Sequence, residues 1–341
     1  MIDAPPLLSV APFSFAAALL FTPLVRGLAR ATGYLDHPDA RKTHPEPTPL
    51  LGGLAVFGAL LVGPLLAAAV TRQSIQVPSA GVLVGAALSL VLGLVDDRRP
   101  MRPLGKLLGQ IAAALFLVLI GPIPGFAAEH PLLAAVAVLG AVALLNAVNF
   151  LDAMDGIVSA VAPVIALGFV ALSVCHGADI NLALAWGVIG GAAGFLVYNA
   201  PPARIFLGDA GSHVLGFVLA ALTLQALDST FTWPHVAAVA ALLAYPLFDV
   251  IFVTVTRLAA GRPIHVGGVD HTTHRLGRIC GRWGTLGVIT AATGVGTALG
   301  VWLWGVDSAP LAMAAVACLG LGYAIFGAWL GRTSPTGGFD T

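Results

Sequence analysis

Charge is what this sequence has least of. Only 9% of its 341 residues are charged, against roughly a quarter in soluble domains, while 58% are hydrophobic and the mean hydropathy is +0.95. Such a chain is a membrane protein. Cysteine is scarce as well: Cys175, Cys280 and Cys318 are widely spaced with no CxxC pairing, which excludes a disulfide framework and a thiolate metal site and leaves them as small packing residues. The first ten residues carry no basic group, and the first apolar segment runs into Arg26 and Arg30 instead of a small-residue cleavage site, so it reads as a retained helix. Internal repeats and low-complexity tracts are missing, and only residues 333–341 read as a short tail.

What is present is a series of apolar stretches. A bilayer-crossing helix needs about 20 mostly apolar residues, and such stretches cover residues 7–29, 50–70, 77–95, 105–122, 131–149, 156–175, 181–198, 212–227, 235–258, 283–304 and 309–330. The expected fold is therefore all-α and polytopic, with about eleven spans, and with too little sequence between them for a separate soluble domain. Residues 1–341 are expected to form one domain. Alternating the loops puts Arg72 on one side and all other Lys and Arg residues on the other. By the positive-inside rule the rich side is cytoplasmic, so the N-terminus is expected outside and the C-terminus inside. The net charge of zero hides this polarity and says nothing about nucleic acid.

Ionisable groups beside membrane spans are costly and mark function. Here they gather in five segments, 36–53, 96–110, 146–156, 199–212 and 257–282, all on the predicted cytoplasmic side. Asp96 and Asp97 are adjacent carboxylates that call for a metal, a basic neighbour or a shared proton, unless they are only a solvated helix end. Lys106 and Gln110 follow on one helical face. Asn146, Asn149, Asp152 and Asp155 recur every three residues, a drifting helical stripe of the oxygen ligands that hard Mg²⁺ prefers and of amides that could hold a base or a sugar hydroxyl.

The run from Asn199 to Ser212 sets Gly208 and Gly211 around Asp209, an arrangement for an anion at a helix start with Asp209 as metal ligand, or else a simple turn. Phe206 could stack on a base or anchor at the interface. His271 and His274 beside Asp270 and Arg275 suit phosphate better than zinc. Asp249, inside the ninth span, is as easily a structural carboxylate paired with Arg257 or another helix as a direct participant.

Taken together, these residues resemble the polyprenyl-phosphate N-acetylhexosamine-1-phosphate transferases (glycosyltransferase family 4), which include the phospho-MurNAc-pentapeptide translocase. The likeness runs from Asp36-His-Pro-Asp-Ala-Arg-Lys-Thr-His44 and Leu51-Gly-Gly53 to His274-Arg-Leu276. Gly208-Asp-Ala-Gly-Ser212 and the lack of consecutive histidines are closer to the UDP-GlcNAc:undecaprenyl-phosphate GlcNAc-1-phosphate transferases than to the translocase. Ala153 and Thr273 depart from the family's usual Gly and His.

The resemblance implies an Mg²⁺-dependent enzyme, with Mn²⁺ able to substitute, in the bacterial cytoplasmic membrane. It would move GlcNAc 1-phosphate or a related group from a UDP-N-acetylhexosamine to undecaprenyl phosphate, release UMP, and initiate cell-envelope polysaccharide synthesis; translocase activity is the alternative within the family. By resemblance, Asp209 ligates the metal, Asp96 deprotonates or positions the lipid phosphate, and Asp97 supports the same cluster. Asn149, Asp152, Asp155 and Phe206 face the nucleotide, Lys42, Lys106, His271, His274 and Arg275 meet phosphate oxygens, and Asn146 and Asn199 complete the substrate-binding set. The partners implied are these two substrates and the bilayer, with homodimerisation left open and no nucleic acid.

Two other classes compete. A secondary transporter would hold its carboxylates near the midplane, often within inverted repeats. An intramembrane aspartyl protease could pair Asp209 with Asp249, but expects Gly at position 206, which is Phe.

Overall fold

The computed structural model describes residues 8–38, 46–75, 78–123, 125–228, 232–263, 268 and 270–333. The fold is all-α. Its helices are α1 (Val10–Thr32), α2 (Gly52–Thr71), α3 (Ala80–Arg98), α4 (Pro103–Leu119), the single turn α5 (Phe126–Glu129), α6 (Pro131–Leu151), α7 (Ile157–His176), α8 (Leu182–Asn199), α9 (Gly208–Asp228), α10 (Trp233–Leu242), α11 (Ala244–Ala259), α12 (Thr272–Trp304) and α13 (Ala309–Gly331). Strand pairing among the described residues is limited to the two-residue β1 (Leu35–Asp36) against β2 (Thr48–Pro49), with Leu35 opposite Pro49. Helices satisfy every backbone group within one segment, which is what a chain this apolar needs in lipid.

Nine helices among the described residues are long and apolar enough to cross a membrane. The pair α10 and α11 would make a tenth, broken by a 73° bend, so the segment expected as one span over 235–258 is two short helices. Helix α4, at 17 residues, is about 26 Å long, a little under the roughly 30 Å hydrocarbon core. With it, each apolar stretch of the sequence falls on an observed element.

Helix α12 differs most from expectation, because it starts at Thr272 and runs for 33 residues. It is broken at Gly281, whose φ of 68° and ψ of 177° lie in a region open only to glycine. The three cysteines are exposed instead of packed inside, since the outer face of a membrane bundle takes small apolar residues as readily as its core does.

Helix α9 is the centre of the bundle. Of its most apolar stretch 83% is buried, against 11% for α13 at the periphery, and it packs on α2, α3, α6 and α7. Phe217, Leu215 and Leu219 of α9 join Phe169 of α7 and Phe195 of α8 in the main core. The functional consequence is positional: the first turn of this most buried helix carries Asp209.

Candidate active site

The site is built on the start of α9. Gly208 has φ +74°, and a Cβ there would lie 2.7 Å from Asp97 Oδ2, so glycine is required both for the turn and for the close approach. Asp97, at the end of α3, accepts hydrogen bonds from the backbone N–H groups of Asp209 (2.8 Å) and Ala210 (3.1 Å). The anion expected at this helix start is thus the chain's own carboxylate, placed where the helix dipole favours negative charge. Gly211 serves packing, because a Cβ there would press on Leu207 and on Gly53 of α2.

Lys106, near the start of α4, joins the expected residues. Its Nζ lies 2.8 Å from Asp96 Oδ2 and 2.6 Å from Asp209 Oδ2, and it donates to Asn149 Oδ1 at 3.2 Å. Asn149 donates in turn to Asp209 Oδ1 (2.8 Å) and Ser212 Oγ (3.0 Å). Asp96 also accepts from the backbone of Met101.

Behind this cluster, Gln110 and Asn146 exchange amide hydrogen bonds, and Gln110 meets Nε2 of His213, whose Nδ1 meets the carbonyl of Asp209. A neutral His213 donating from Nδ1 and accepting at Nε2 satisfies both contacts. His213 escaped the sequence reading, and Ser212 entered it only as the end of the Gly208–Ser212 motif; the i, i+4 spacing of Asp209 and His213 on one helix was the available signal.

The stripe from Asn146 to Asp155 is helical only in its first half. Helix α6 stops at Leu151, which leaves Asp152 and Asp155 in the turn before α7. A cavity of ≈ 330 Å³ opens there, lined by Asp97, Asp152, Asp155, Phe206, Asp209 and His274 among others. Loss of solvent, and then the charges of Asp209, Asp97 and Asp155, push the Asp152 carboxyl well above its ordinary range. Asp155 accepts from the backbone of Ala203 (3.0 Å) and lies 3.5 Å from Arg282.

Asn199 is 2% exposed. Its Oδ1 accepts from Gly156 N and Ser159 Oγ, and its Nδ2 donates to Ile205 O. It pins the Asp155 turn to the loop carrying Phe206 and stands in the lining of the same cavity.

The residues around α12 divide. His274 reaches the cavity wall. His271 is buried, with Nδ1 3.0 Å from Asp249 Oδ2. Asp249 also accepts from Thr272 N and Oγ1, so it caps the start of α12 from α11 and is paired with that helix instead of with Arg257. Arg257 binds Asp270 through Nε and NH2 at 3.0 and 2.9 Å, and Arg262 adds a third contact at 3.0 Å.

Burial alone would raise the Asp270 carboxyl, but the hydrogen bonds and charge of Arg257 hold it below its ordinary value. Arg275 was expected on phosphate. Instead it is buried and donates to the carbonyls of Leu330 and Thr333 at the end of α13, where a cation complements the helix dipole. Lys42 lies outside the described residues. Asp209 and Asp249 have separate partners, so the protease dyad has no support in their contacts.

Comparison with known proteins decides the family. The model of glycosyl transferase family 4 matches residues 79–227. A probable undecaprenyl-phosphate N-acetylglucosaminyl 1-phosphate transferase of Bacillus subtilis is 32% identical over 274 residues, covering 77% of this chain and 75% of that protein. The chain belongs to glycosyl transferase family 4. It is a transferase. The decaprenyl-phosphate N-acetylglucosaminephosphotransferase of Mycobacterium tuberculosis is 31% identical over 80% of this chain and 76% of its own length. A phospho-N-acetylmuramoyl-pentapeptide-transferase of Bacillus mycoides is 29% identical over 62% and 71%. The region matched by the glycosyl transferase model holds the whole Lys106 cluster and the Asp152 turn, but not His271, His274 or Arg275.

Among the described residues no three His, Cys, Asp or Glu side chains converge as a ready-made metal site, so a hard divalent cation here would rest on one or two carboxylates and on substrate. Five carboxylates, Asp36, Asp97, Asp152, Asp155 and Asp209, line one cavity, and Lys106 answers Asp209 together with Asp96 from outside that group. Oxygen ligands with a surplus of negative charge suit Mg²⁺, which binds through one or two carboxylates and completes its shell with water and substrate phosphate.

Proposed function

We propose that this chain transfers N-acetylhexosamine 1-phosphate, with GlcNAc 1-phosphate as the group moved, from a UDP-sugar to undecaprenyl phosphate. In that reaction an oxygen of the lipid phosphate bonds to the sugar-bearing phosphorus, the bond between the two donor phosphates breaks, and UMP leaves. The observation that carries the reading is the Asp96–Lys106–Asp209 bridge beside a cavity lined by Asp209 together with Asp152, Asp155 and Phe206. Two anions must approach one another here, and fixed cations lower that barrier.

In this reading Asp209 holds Mg²⁺, which would offset charge on the donor diphosphate and on departing UMP. Asp96 positions the lipid phosphate and takes its proton. Lys106 holds both carboxylates in register and offers its charge to phosphate oxygen. Asp97 fixes the α9 start, while Asp152, Asp155 and Phe206 receive the nucleotide. His274 faces the same cavity.

The direct form of attack is favoured because the cluster offers no activated Ser, Cys or His nucleophile. The skew of Lys and Arg supports a cytoplasmic site with the N-terminus outside, and the names of the relatives support a polyprenyl phosphate as acceptor and N-acetylglucosamine phosphate as the group moved; in this reading the product starts an envelope polysaccharide in a bacterial inner membrane.

Mass spectrometry of lipids after incubating the purified full chain with undecaprenyl phosphate and a panel of UDP-sugars tests the proposal. The expected result is a lipid heavier by one N-acetylhexosamine phosphate, formed with one UMP. An unchanged donor in every case overturns it. EDTA should abolish turnover and Mg²⁺ or Mn²⁺ restore it; recovery with Zn²⁺ alone would move the metal to His271 and His274.

A further inference from the structure

Beside the first cavity lies a second of ≈ 350 Å³ that shares Asp155 and Phe206 with it. Its wall carries Arg26 and Arg30 from the end of α1, Arg204 from the loop before α9, and Arg282 just past the Gly281 break. Among the described residues the carboxylates on the same wall are Glu46 and Asp155, so four positive groups there face two negative ones. Arg26 has Arg30 and Arg204 as charged neighbours, and its Nε is buried without a hydrogen-bond partner among the described residues.

Like charges held together and a buried unpaired N–H both cost stability. An oxyanion relieves both at once, and the guanidinium fork matches phosphate geometry. We infer that this cavity binds a phosphate-class anion, a phosphate mono- or diester, adjoining the donor cavity but separate from it.

Two sources supply that chemistry. Leu20, Leu24 and Leu28 form an exposed apolar stripe on α1 that ends beside the arginines, so a phospholipid lying along it would bring its headgroup to the cavity. A soluble phosphate ester presents the same oxyanion. Because neither source depends on the transferred sugar, this inference stands or falls apart from the proposed reaction.

The test uses the full chain in nanodiscs of phosphatidylcholine, either alone, with phosphatidylglycerol, or with inorganic phosphate at an ionic strength matched by chloride. Melting temperature is the readout, since a ligand of the folded state raises it. A rise with phosphatidylglycerol assigns the headgroup, and a rise with phosphate in neutral discs assigns the soluble ester. The pair Arg26→Gln and Arg204→Gln should weaken the responding ligand about tenfold or more, while turnover in neutral discs stays at the wild-type level. Arg30→Gln, at an exposed position, repeats the test with little demand on folding and should shift the titration midpoint the same way. No rise in either arm, or equal rises in wild type and in both variants, overturns the site.

Discussion

Two helix starts in this molecule are built alike and used differently. At α9, Asp97 reaches over from α3 to accept from the first backbone N–H groups; at α12, Asp249 reaches over from α11 to do the same. Around α9 the neighbouring ionisable groups are partly open, with Asp209 31% exposed, and carboxylates outnumber cations along the cavity. Around α12 the groups are closed and balanced, with Asp249 0% and Asp270 1% exposed and Asp270 held by two arginines. A carboxylate capping a helix start is therefore no sign of function by itself. What separates the two is uncompensated charge facing a cavity, which leaves work for a metal and a substrate.

Four substitutions put that contrast to the test. The largest effect is expected at the open start: Asp209→Asn keeps the side chain's shape but removes its charge, and should lower turnover by about a thousandfold with little change in melting temperature. A variant that keeps full turnover would erase the distinction. Next comes Asp270→Asn at the closed start, which strands Arg257 without its countercharge and should cost about 3 kcal/mol of stability, while the folded fraction keeps its activity. This loss belongs to neutral pH. Asp270 binds protons less readily when folded, so its contribution is present above the unfolded carboxyl value and fades as pH falls through the folded one.

Asp249→Asn should cost less, about 2 kcal/mol, because an amide still accepts from Thr272. Inactivity of well-folded Asp249→Asn protein would make the closed start functional after all. The smallest effect is at Asp152, whose carboxyl binds protons more readily when folded. Its contribution is whole below about pH 4 and is lost as pH rises through the folded value, so without metal Asp152→Asn should gain on wild type in melting temperature between pH 5 and pH 8. Parallel melting curves across that range would show that Asp152 feels no excess of negative charge.

Spans and site were legible in the sequence to different degrees. The apolar stretches mapped onto observed elements because hydropathy alone sets length in lipid, and Lys106, Asn149 and Asp209 came together because polar and charged groups at span ends have few other places to go. The break between α10 and α11 had a signal that the reading of one span passed over: Pro246 has no N–H for the carbonyl of Leu242 and its ring crowds that turn, and α10 ends at Leu242.

Arg275 was misread because a buried polar side chain and a substrate-binding one look identical until their partners are known, and its partner Leu330 is itself ordinary in composition. Asn199 was legible as a residue of the cavity, but its bonds to the Asp155 turn and to Ile205 were not. The stripe at Asn146 was right in spacing, but its continuation was cut short where α6 ends and Gly156, with φ +78°, opens the turn.

The break at Gly281 has a consequence for how the protein meets its bilayer. A straight helix of 33 residues would be about 50 Å long, far beyond a hydrocarbon core of roughly 30 Å, and a change in membrane thickness would tilt all of it together. Divided at Gly281, the apolar part can follow the membrane while the short polar part, with His274 on the cavity wall and Arg275 anchored to the end of α13, keeps its place. Hydrophobic mismatch, which costs fractions of a kcal/mol per Å, is then absorbed at one hinge, and the reacting groups need no retuning when the host membrane thickens or thins.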